Sequence, residues 1–401
     1  MATSTTHRGN TKPSRTQQFR PLRLNILDGL ERPELETLQK PETRATESVT
    51  IRDVEYIGSY NWLDQKKPTI VVPGSPRRWL NRDIPYQVPP DAGTFCTYED
   101  GQRVPSYPML PWFYAIDTVT GQAMDWGSVD FITSRNTLRK LLRWTRESKP
   151  DDFRIDTQLA GERTVVFGQW VERMRMKSDS RHPGYGRNFE HESTGVAPGC
   201  ENLNMTAHTR LVKYNFGGLT MVVGFEVDAY TASASPSNSP LITNGGHSAT
   251  TEPMTHADKS YVNVVNAGGQ IPQADIVEIK TGKKMKWKET YPQLFLSQTP
   301  HLYAASHEQG LFRQVRMLGV DDPEMREVAE ELQNDFVKLR DTLIDIRNTL
   351  RRHKQSTRLS LLCQKGNLQV FRMKNANSCL PEAILERFEG GLNESYETAV
   401  Q

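Results

Sequence analysis

The stretch that decides the fold is Gly218-Leu-Thr-Met-Val-Val-Gly-Phe-Glu-Val-Asp-Ala-Tyr230. Its apolar run is typical of a buried strand, and it ends in two carboxylates at alternate positions, Glu226 and Asp228. Alternate residues of a strand lie on the same face of a sheet, so both carboxylates should point the same way. A buried strand that ends in charged groups predicts a functional site at its end.

A second strand-like run, Ile276-Val-Glu-Ile-Lys280, places Glu278 and Lys280 on one face. If the two strands pair, three carboxylates and one ammonium group meet on one surface. Carboxylates this close repel each other, so their pKa values rise unless cations lie among them. An all-oxygen ligand set suits Mg²⁺ or Mn²⁺, and two such ions are expected here. Removing Glu278 is expected to relieve repulsion and slightly stabilise the metal-free protein.

Such a site has a natural chemistry at phosphorus. Two divalent ions about 3.5–4 Å apart can hold the attacking and leaving oxygens of an in-line displacement. A nearby lysine can orient the attacking water or stabilise negative charge on the phosphate. The order Asp–long gap–Glu-x-Lys also resembles the core of the PD-(D/E)xK nucleases. Short patterns of this kind also arise by chance on exposed edge strands, and that alternative stays open at this point.

Composition limits the possible classes of protein. The 401 residues are 36% hydrophobic and 24% charged, which fits one large domain or two ordinary ones. Fifty Lys and Arg against 48 Asp and Glu give a net charge of +2, so any affinity for nucleic acid must come from local clusters. The four cysteines are too scattered for a disulfide framework or a zinc site, which favours an intracellular protein. No stretch approaches the ~20 apolar residues of a membrane span, so no membrane partner is expected.

The order of local patterns predicts an α+β fold, with a mixed β-sheet core flanked by helices in a single large domain. We expect a disordered tail over residues 1–18, one catalytic domain over 19–385 and a flexible C-terminal tail over 386–401. The Ser-, Thr- and Asn-rich residues 231–270 read as a disordered insertion loop within that domain.

Three regions carry predictions of secondary structure. Up to about Asp130 the chain is rich in Pro, Trp and Tyr, which favours short strands and loops over helices. Phe131 to Glu147 is predicted to form a short amphipathic helix whose polar face is strongly basic. The apolar spacing from Val328 to Leu350 predicts one long amphipathic helix.

Five segments, taken in order, resemble motifs of the DXO family of decapping nucleases. That family removes defective or non-standard caps from RNA 5′ ends, and some members also degrade RNA from the 5′ end. The segments are Phe131–Leu142, Gly184–Glu190, Phe225–Asp228, Val277–Thr281, and Leu296–Gln298 followed by Glu308–Phe312.

The resemblance implies a role for each matching residue. Glu190, Asp228 and Glu278 would bind the metals directly, and Glu226 would hold a metal-bound water. Lys280 and Gln298 would position the attacking water and the scissile phosphate, and Arg135 would hold phosphate. It also implies RNA 5′ ends as substrate and leaves room for a 5′–3′ exoribonuclease as a further partner. It favours an intracellular location in the nucleus, with the cytoplasm left open.

The sequence also departs from the family pattern. Phe225 replaces a glycine, and Glu192 is a rival to Glu190 as ligand. His208 is predicted to be a structural histidine with satisfied hydrogen bonds, and the lysines around Trp287 could follow an RNA backbone or form a solvated face. Two other functions remain open: a stabilising partner of a processive 5′–3′ exonuclease, and a DNA nuclease of the restriction-enzyme type.

Overall fold

The structure is a computed structural model of the whole chain. It describes residues 23–42, 48–231, 233, 262–353, 358–375 and 377–389. The expected N-terminal tail, residues 1–18, lies outside the described residues.

Within the residues that the structure describes, twenty strands build the sheets of the fold. They are β1 (Glu36–Leu38), β2 (Ile51–Leu63), β3 (Thr69–Gly74), β4 (Arg78–Trp79), β5 (Tyr86–Gln87), β6 (Thr94–Cys96), β7 (Phe131–Ser134), β8 (Phe153–Ala160), β9 (Thr164–Gln169), β10 (Arg175–Lys177), β11 (Thr194–Gly195), β12 (Met205–Phe216), β13 (Leu219–Val227), β14 (Ala229–Tyr230), β15 (Asn263–Gly268), β16 (Ile276–Thr281), β17 (His301–Glu308), β18 (Leu311–Gly319), β19 (Leu359–Gln364) and β20 (Asn367–Arg372).

In the described ranges, eight α-helices and three short 3₁₀ helices connect these strands. The α-helices are α1 (Glu99–Arg103), α2 (Leu110–Thr120), α3 (Arg135–Arg146), α4 (Gly186–Ser193), α5 (Trp287–Ser297), α6 (Pro323–Glu331), α7 (Gln333–His353) and α8 (Glu382–Leu385). The 3₁₀ helices are Trp126–Ser128, Gln273–Asp275 and Glu386–Phe388.

The strands form a large sheet, a small sheet and a two-stranded ribbon. The large sheet has eleven strands in the order β1-β20-β19-β8-β9-β7-β13-β12-β2-β3-β15, and the small sheet has seven in the order β11-β4-β14-β16-β17-β18-β5. Both are mixed: β7 runs parallel to β13, whereas β12 runs antiparallel to it. The predicted α+β class, a mixed sheet core with flanking helices, is confirmed.

β13 lies in the middle of the large sheet because both of its faces are apolar. Val223 packs in a core cluster with Leu138 of α3 and Leu343 of α7. Val222, on the opposite face, packs in a second cluster with Phe113 of α2. Burying a side chain of this size contributes roughly 1.5–3 kcal/mol, so layers on both faces hold this strand in place.

The chain passes from one sheet to the other at Asp228. β13 ends at Val227 in the large sheet, and β14 begins at Ala229 in the small sheet. β16, which carries Glu278, pairs with β14 and not with β13. The expected pairing of the two carboxylate-bearing strands is therefore made through the continuation of β13, just beyond Asp228.

Several helices differ from their sequence predictions. Residues Phe131–Ser134 form a strand, and α3 begins only at Arg135, where the Ser134 hydroxyl oxygen caps the helix by accepting from Thr137 N at 3.1 Å. The single long helix expected through Val328 is two helices, α6 and α7, that part at Leu332. α2 was missed because its first eight residues are buried on all sides, which leaves no amphipathic period to read.

The expected insertion and C-terminal tail are both shorter than predicted. β15, inside the predicted 231–270 loop, is an ordered strand parallel to β3 at the edge of the large sheet. Phe388, placed in the tail by sequence, is buried against Trp126, with ring centroids 5.5 Å apart. Residues 232, 234–261 and 390–401 lie outside the described residues.

Across the part of the chain that the structure describes, every helix is too short or too polar to cross a membrane.

Candidate active site

Glu278 is the centre of the site. It lies on β16 with 2% of its surface exposed. One carboxylate oxygen accepts from Arg135 Nη1 at 2.7 Å, and the other pairs with Lys280 Nζ. Burial alone would raise the pKa of Glu278, but Arg135 and Lys280 outweigh burial and lower it to about 2. The charge of Glu278 is thus fully neutralised by two cations from different elements.

Asp228 lies next to this ion pair. Its Oδ2 accepts from the backbone N–H of Ile279 at 2.7 Å, which ties the sheet crossing to β16. Burial and then the charge of Glu278 raise the pKa of Asp228 to about 7, against the opposing effects of Lys280 and the Ile279 N–H. Asp228 is therefore a carboxylate that lacks enough positive charge around it.

Glu190 approaches from α4. This helix is anchored by Phe189, whose ring stacks on Phe312 of β18 at a centroid distance of 4.1 Å. Its N-terminus is held by Asp91, which accepts from Asn188 N at 2.9 Å. Burial and the nearby charge of Asp228 raise the pKa of Glu190 to about 9. Local packing thus holds this acid near two other carboxylates despite repulsion.

Glu192, the rival ligand, lies elsewhere. Its carboxylate pairs with Arg82 Nη1 at 2.9 Å, and its side chain is 46% exposed. Arg82 also stacks over Tyr86, with its guanidinium carbon 4.2 Å from the ring centroid. Glu190, in contrast, lines the same cavity as Asp228 and Glu226. The geometry therefore favours Glu190 over Glu192 as a site residue.

Glu226 borders two cavities, one on each side of the end of β13. The first, about 250 Å³, contains Glu190 and Asp228, and the second, about 270 Å³, contains Arg135. The Glu226 side chain is open to both cavities; desolvation by the surrounding protein still raises its pKa, and the charge of Arg135 opposes this shift. We call Glu190, Glu226, Asp228 and Glu278 the acidic cluster.

Gln298 is near this cluster but turned away from it. It ends α5 in the left-handed conformation, with φ 52°, and its side-chain amide donates to Phe295 O at 2.6 Å. Its carbonyl oxygen accepts from Gln273 Nε2 at 2.7 Å. The neighbouring Ser297 Oγ is 3.5 Å from Arg135 Nη1, so this end of α5 borders the site through Ser297. Within the described contacts, the Gln298 side chain does not meet the carboxylates.

The donor set fits a hard divalent ion. Within the described ranges, no three Asp, Glu, His or Cys side chains are arranged as a ready-made metal cage. The reason is visible in the contacts: Arg135 and Lys280 occupy Glu278, and the Ile279 N–H occupies one oxygen of Asp228. Carboxylate oxygens are nevertheless the ligands of Mg²⁺ and Mn²⁺. The raised pKa values of Glu190 and Asp228 show that positive charge is lacking at that side of the cluster.

Part of the basic face predicted on α3 is neutralised by ion pairs. Arg143 pairs with Glu147 and Asp151, both at 3.1 Å, and Arg146 pairs with Glu289. Arg135, which the resemblance assigns to phosphate, is paired with Glu278 and only 13% exposed along its side chain. Charge counted along the sequence thus overstated the basic surface of this helix.

Two features near the site carry no clear signal in the sequence. His208 Nδ1 lies 2.9 Å from Asn61 Oδ1, but its Nε2 is buried with no partner among the described residues, so this histidine is satisfied on one side only. Asp100 lies in the cavity that contains Arg135 and accepts from Tyr60, Trp62 and Trp112. These partners come from β2 and α2, and no short motif links them.

The fold is that of the Rai1 proteins. A structure of a mutant S. pombe Rai1 in complex with 3′-FADP has a TM-score of 0.55 at 12% identity and covers 82% of this chain and 96% of that one. Scheffersomyces stipitis Rai1 in complex with (3′-NADP)⁺ and calcium has a TM-score of 0.54 at 11% identity, covering 89% and 96%. Candida albicans Rai1 in complex with pU5-Mn²⁺ has a TM-score of 0.50 at 11% identity, covering 89% and 95%. The resemblance to the decapping nucleases is confirmed as a likeness of fold over most of the chain.

The chain also matches a family model described as a domain of unknown function (DUF8563) over residues 35–388. It belongs to this family. No curated protein sequence matches it.

Proposed function

We propose that this protein is a divalent-metal-dependent hydrolase of RNA 5′ ends that removes incomplete or non-standard caps. The observation that carries the proposal is the convergence of Glu190, Asp228 and Glu278 with two cations at the crossing between the sheets. Four acids held together against repulsion are costly for a fold, and a cation-dependent function explains their retention.

The residues divide into two roles. Glu190, Asp228 and Glu278 would hold the metals, two Mg²⁺ or Mn²⁺ ions, with Glu226 beside them. Such ions supply charge neutralisation at phosphorus and a water of lowered pKa. Lys280 and Arg135, released from Glu278, would bind the phosphate oxygens through charged hydrogen bonds. Gln298 would take part only after its amide leaves Phe295 O.

The ligands of the similar structures support the same class of substrate. The Rai1 structures are described with 3′-FADP, with (3′-NADP)⁺ and calcium, and with pU5 and Mn²⁺. All of these ligands carry phosphate, and two are accompanied by a divalent ion. A phosphate-bearing 5′ end is therefore the natural substrate class to test for this chain. A 5′–3′ exoribonuclease partner, 5′–3′ exoribonuclease activity and a nuclear location stay predictions that the resemblance implies.

The proposal is tested with RNAs labelled at the 5′ end that carry a triphosphate, an unmethylated cap, an NAD cap or a monophosphate. Each is incubated with the purified protein, with and without Mn²⁺, and the released product is identified. We expect Mn²⁺-dependent release from at least one RNA, its loss in Glu278→Gln and its retention in the matched surface control Glu192→Gln. No release from any of these RNAs would contradict the proposal.

The rival is a non-catalytic stabilising partner of a 5′–3′ exonuclease. It requires no metal, so it gives no reason for Glu190 and Asp228 to stay close at raised pKa. A protein that neither binds Mn²⁺ nor turns over any of the RNAs would favour this rival.

A further inference from the structure

The cavity on the Arg135 side of Glu226 has a built polar lining. We call it the aromatic cavity; its volume is about 270 Å³, and its lining includes Trp62, Asp100, Trp112, Arg135, Arg139 and Glu226. Trp112 closes it against β13, where a Cβ atom at Gly224 would lie 2.3 Å from the indole ring. A glycine in a strand interior weakens the strand, so its presence here indicates that the close approach of Trp112 matters.

Arg139 is a cation in the lining of this cavity that lacks a partner within the described residues. One helical turn after Arg135, it has no hydrogen-bond or ion-pair partner within the described ranges, although it is half-buried. Burial, followed by the positive charge of Arg135, lowers the pKa of Arg139 to about 10. An unpaired guanidinium in this half-buried position destabilises the folded protein, and a bound anion would remove that penalty.

The two arginines differ in what they are free to bind. Arg135 is held by Glu278 at 2.7 Å, whereas Arg139 faces the cavity without a carboxylate within 4.0 Å in the described part of the chain. Their i, i+4 spacing sets them about 6 Å apart along one face of α3. Two cations at that spacing can meet two neighbouring phosphates of one RNA strand.

The far wall of the cavity is an acceptor. Asp100 Oδ1 accepts from Tyr60 Oη at 2.7 Å and from Trp62 Nε1 at 2.8 Å, and Oδ2 accepts from Trp112 Nε1 at 3.2 Å. A carboxylate has about four acceptor positions, so one remains for a donor in the cavity. The hydroxyl and N–H groups of a nucleoside can supply that donor. The carboxylate of Asp100 would repel a phosphate at this wall. The phosphates of a bound RNA strand should therefore lie on the arginine side of the cavity and the nucleoside on the Asp100 side.

We infer that the aromatic cavity is a nucleotide subsite in which Arg139 binds the second phosphate of the RNA chain. The nucleoside between the first and second phosphates lies against Asp100 and the two tryptophans. This inference rests on the proposed function, because it takes the first phosphate to lie at Arg135 and the acidic cluster. It gives Arg139, which lies within the first of the five segments, a phosphate-binding role that the resemblance assigned only to Arg135.

The test is a comparison of Arg139→Gln with a matched control, Arg143→Gln, one turn further along α3. Arg143 is already neutralised by Glu147 and Asp151, so its loss should not alter binding. The probes are 5′-UMP, with one phosphate, the dinucleotide pUpU, with two, and 5′-phosphorylated pentauridylate. Affinities are measured by calorimetry, or by fluorescence anisotropy for the pentamer, with Ca²⁺ in place of Mn²⁺ to prevent cleavage.

We expect Arg139→Gln to weaken pUpU and pentamer binding by about tenfold, the effect of one charged hydrogen-bonded contact. Binding of 5′-UMP should be unchanged, because 5′-UMP has no second phosphate. The salt dependence of pentamer binding should become shallower by about 0.7 in log–log slope. The variant should also be at least as thermally stable as wild type, since it removes an uncompensated half-buried charge.

Equal affinities of Arg139→Gln and wild type for pUpU would overturn the inference, as would an equal loss for 5′-UMP or a lack of pUpU binding by wild type. A protein that binds pUpU with the expected Arg139 dependence, yet hydrolyses no 5′ end with Mn²⁺, would overturn the proposed function alone. The two failures are therefore distinguishable.

Discussion

The acidic cluster has two unlike halves that lie side by side in the fold, although their residues are far apart in the sequence. On the β16 side, Glu278 is neutralised by Arg135 and Lys280, and its pKa falls to about 2. On the α4 side, Glu190 and Asp228 face each other with little compensation, and their pKa values rise to about 9 and about 7. We call the first half finished, because the ion pairs of Glu278 are complete, and the second half unfinished, because burial and repulsion there outweigh the nearby cations. Burial acts on all three acids, so the difference arises from the position of the cations.

The largest expected effect comes from removing Glu278, the carboxylate of the finished half. Glu278→Ala leaves Arg135 and Lys280 buried without their shared partner, which typically costs about 3–5 kcal/mol of unfolding free energy. The sequence alone predicted a slight gain from relieved repulsion, and the ion pairs reverse that sign. Denaturant unfolding of the metal-free variant measures this, and turnover should fall below detection. A metal-free variant as stable as wild type would show that the two cations find other partners.

Arg135→Ala should weaken RNA binding by about tenfold to a hundredfold, the effect of one or two charged hydrogen bonds. Because Arg135 also neutralises Glu278, its loss should raise the pKa of Glu278. The difference in pKa between Glu278 and the other two acids should then become smaller. RNA affinity over a salt series with Ca²⁺ measures the first effect. Arg143→Ala is the control, and identical salt slopes for the two variants would remove Arg135 from the phosphate site.

Manganese should stabilise the unfinished half in a pH-dependent way. The ion must displace protons from Glu190 and Asp228, which hold them near pH 6 because their pKa values are about 9 and about 7. Saturation at about a hundred times Kd adds about 2.7 kcal/mol, or a few degrees in Tm. We expect this shift at pH 8 and a clearly smaller one at pH 6. Thermal unfolding with and without Mn²⁺ at both pH values measures this difference. An equal increase in Tm at pH 6 and pH 8 would argue against these two acids as ligands.

The smallest effect concerns Glu190→Gln in the absence of metal. A folded-state pKa raised above the unfolded value means that the folded protein binds more protons, so its stability is lost as pH rises through the folded pKa. Wild type should therefore lose stability between pH 7 and pH 9 more steeply than Glu190→Gln, by about 2 kcal/mol. Urea unfolding at both pH values measures the slopes. Parallel slopes would mean that Glu190 is ionised already at neutral pH.

The sequence predicted the parts of this arrangement that depend on local pattern. The run into Glu226 and Asp228 indicated a buried strand that ends in a site, and β13 confirms the strand. Gly161, whose φ of 57° favours glycine, lies at the turn between β8 and β9. These features follow from strand periodicity and from the backbone freedom of glycine, which a single sequence displays.

Features that depend on distant partners could not be read in this way. Arg135 looked like one cation among several on a basic helix, and its ion pair with Glu278 spans 143 residues of sequence. Arg143 is charged but paired with Glu147 and Asp151, and Asp151 lies beyond the end of α3. The switch of sheets after Val227 also depends on the partners that β14 finds in β4 and β16. Charge and periodicity describe a residue's own segment, whereas pKa and pairing are set by whatever packs against it.

Asp228 is the whole of the link between β13 and β14. A one-residue link has no slack, so two sheets together fix the position of its carboxylate, and a core substitution that shifts either sheet would move it. Inserting one residue beside Asp228 would turn the following side chains to the opposite face, because strand residues alternate. Because Ala229 and Tyr230 are fully buried, such an insertion would disturb the small sheet together with the carboxylate, so this link tolerates no added residue.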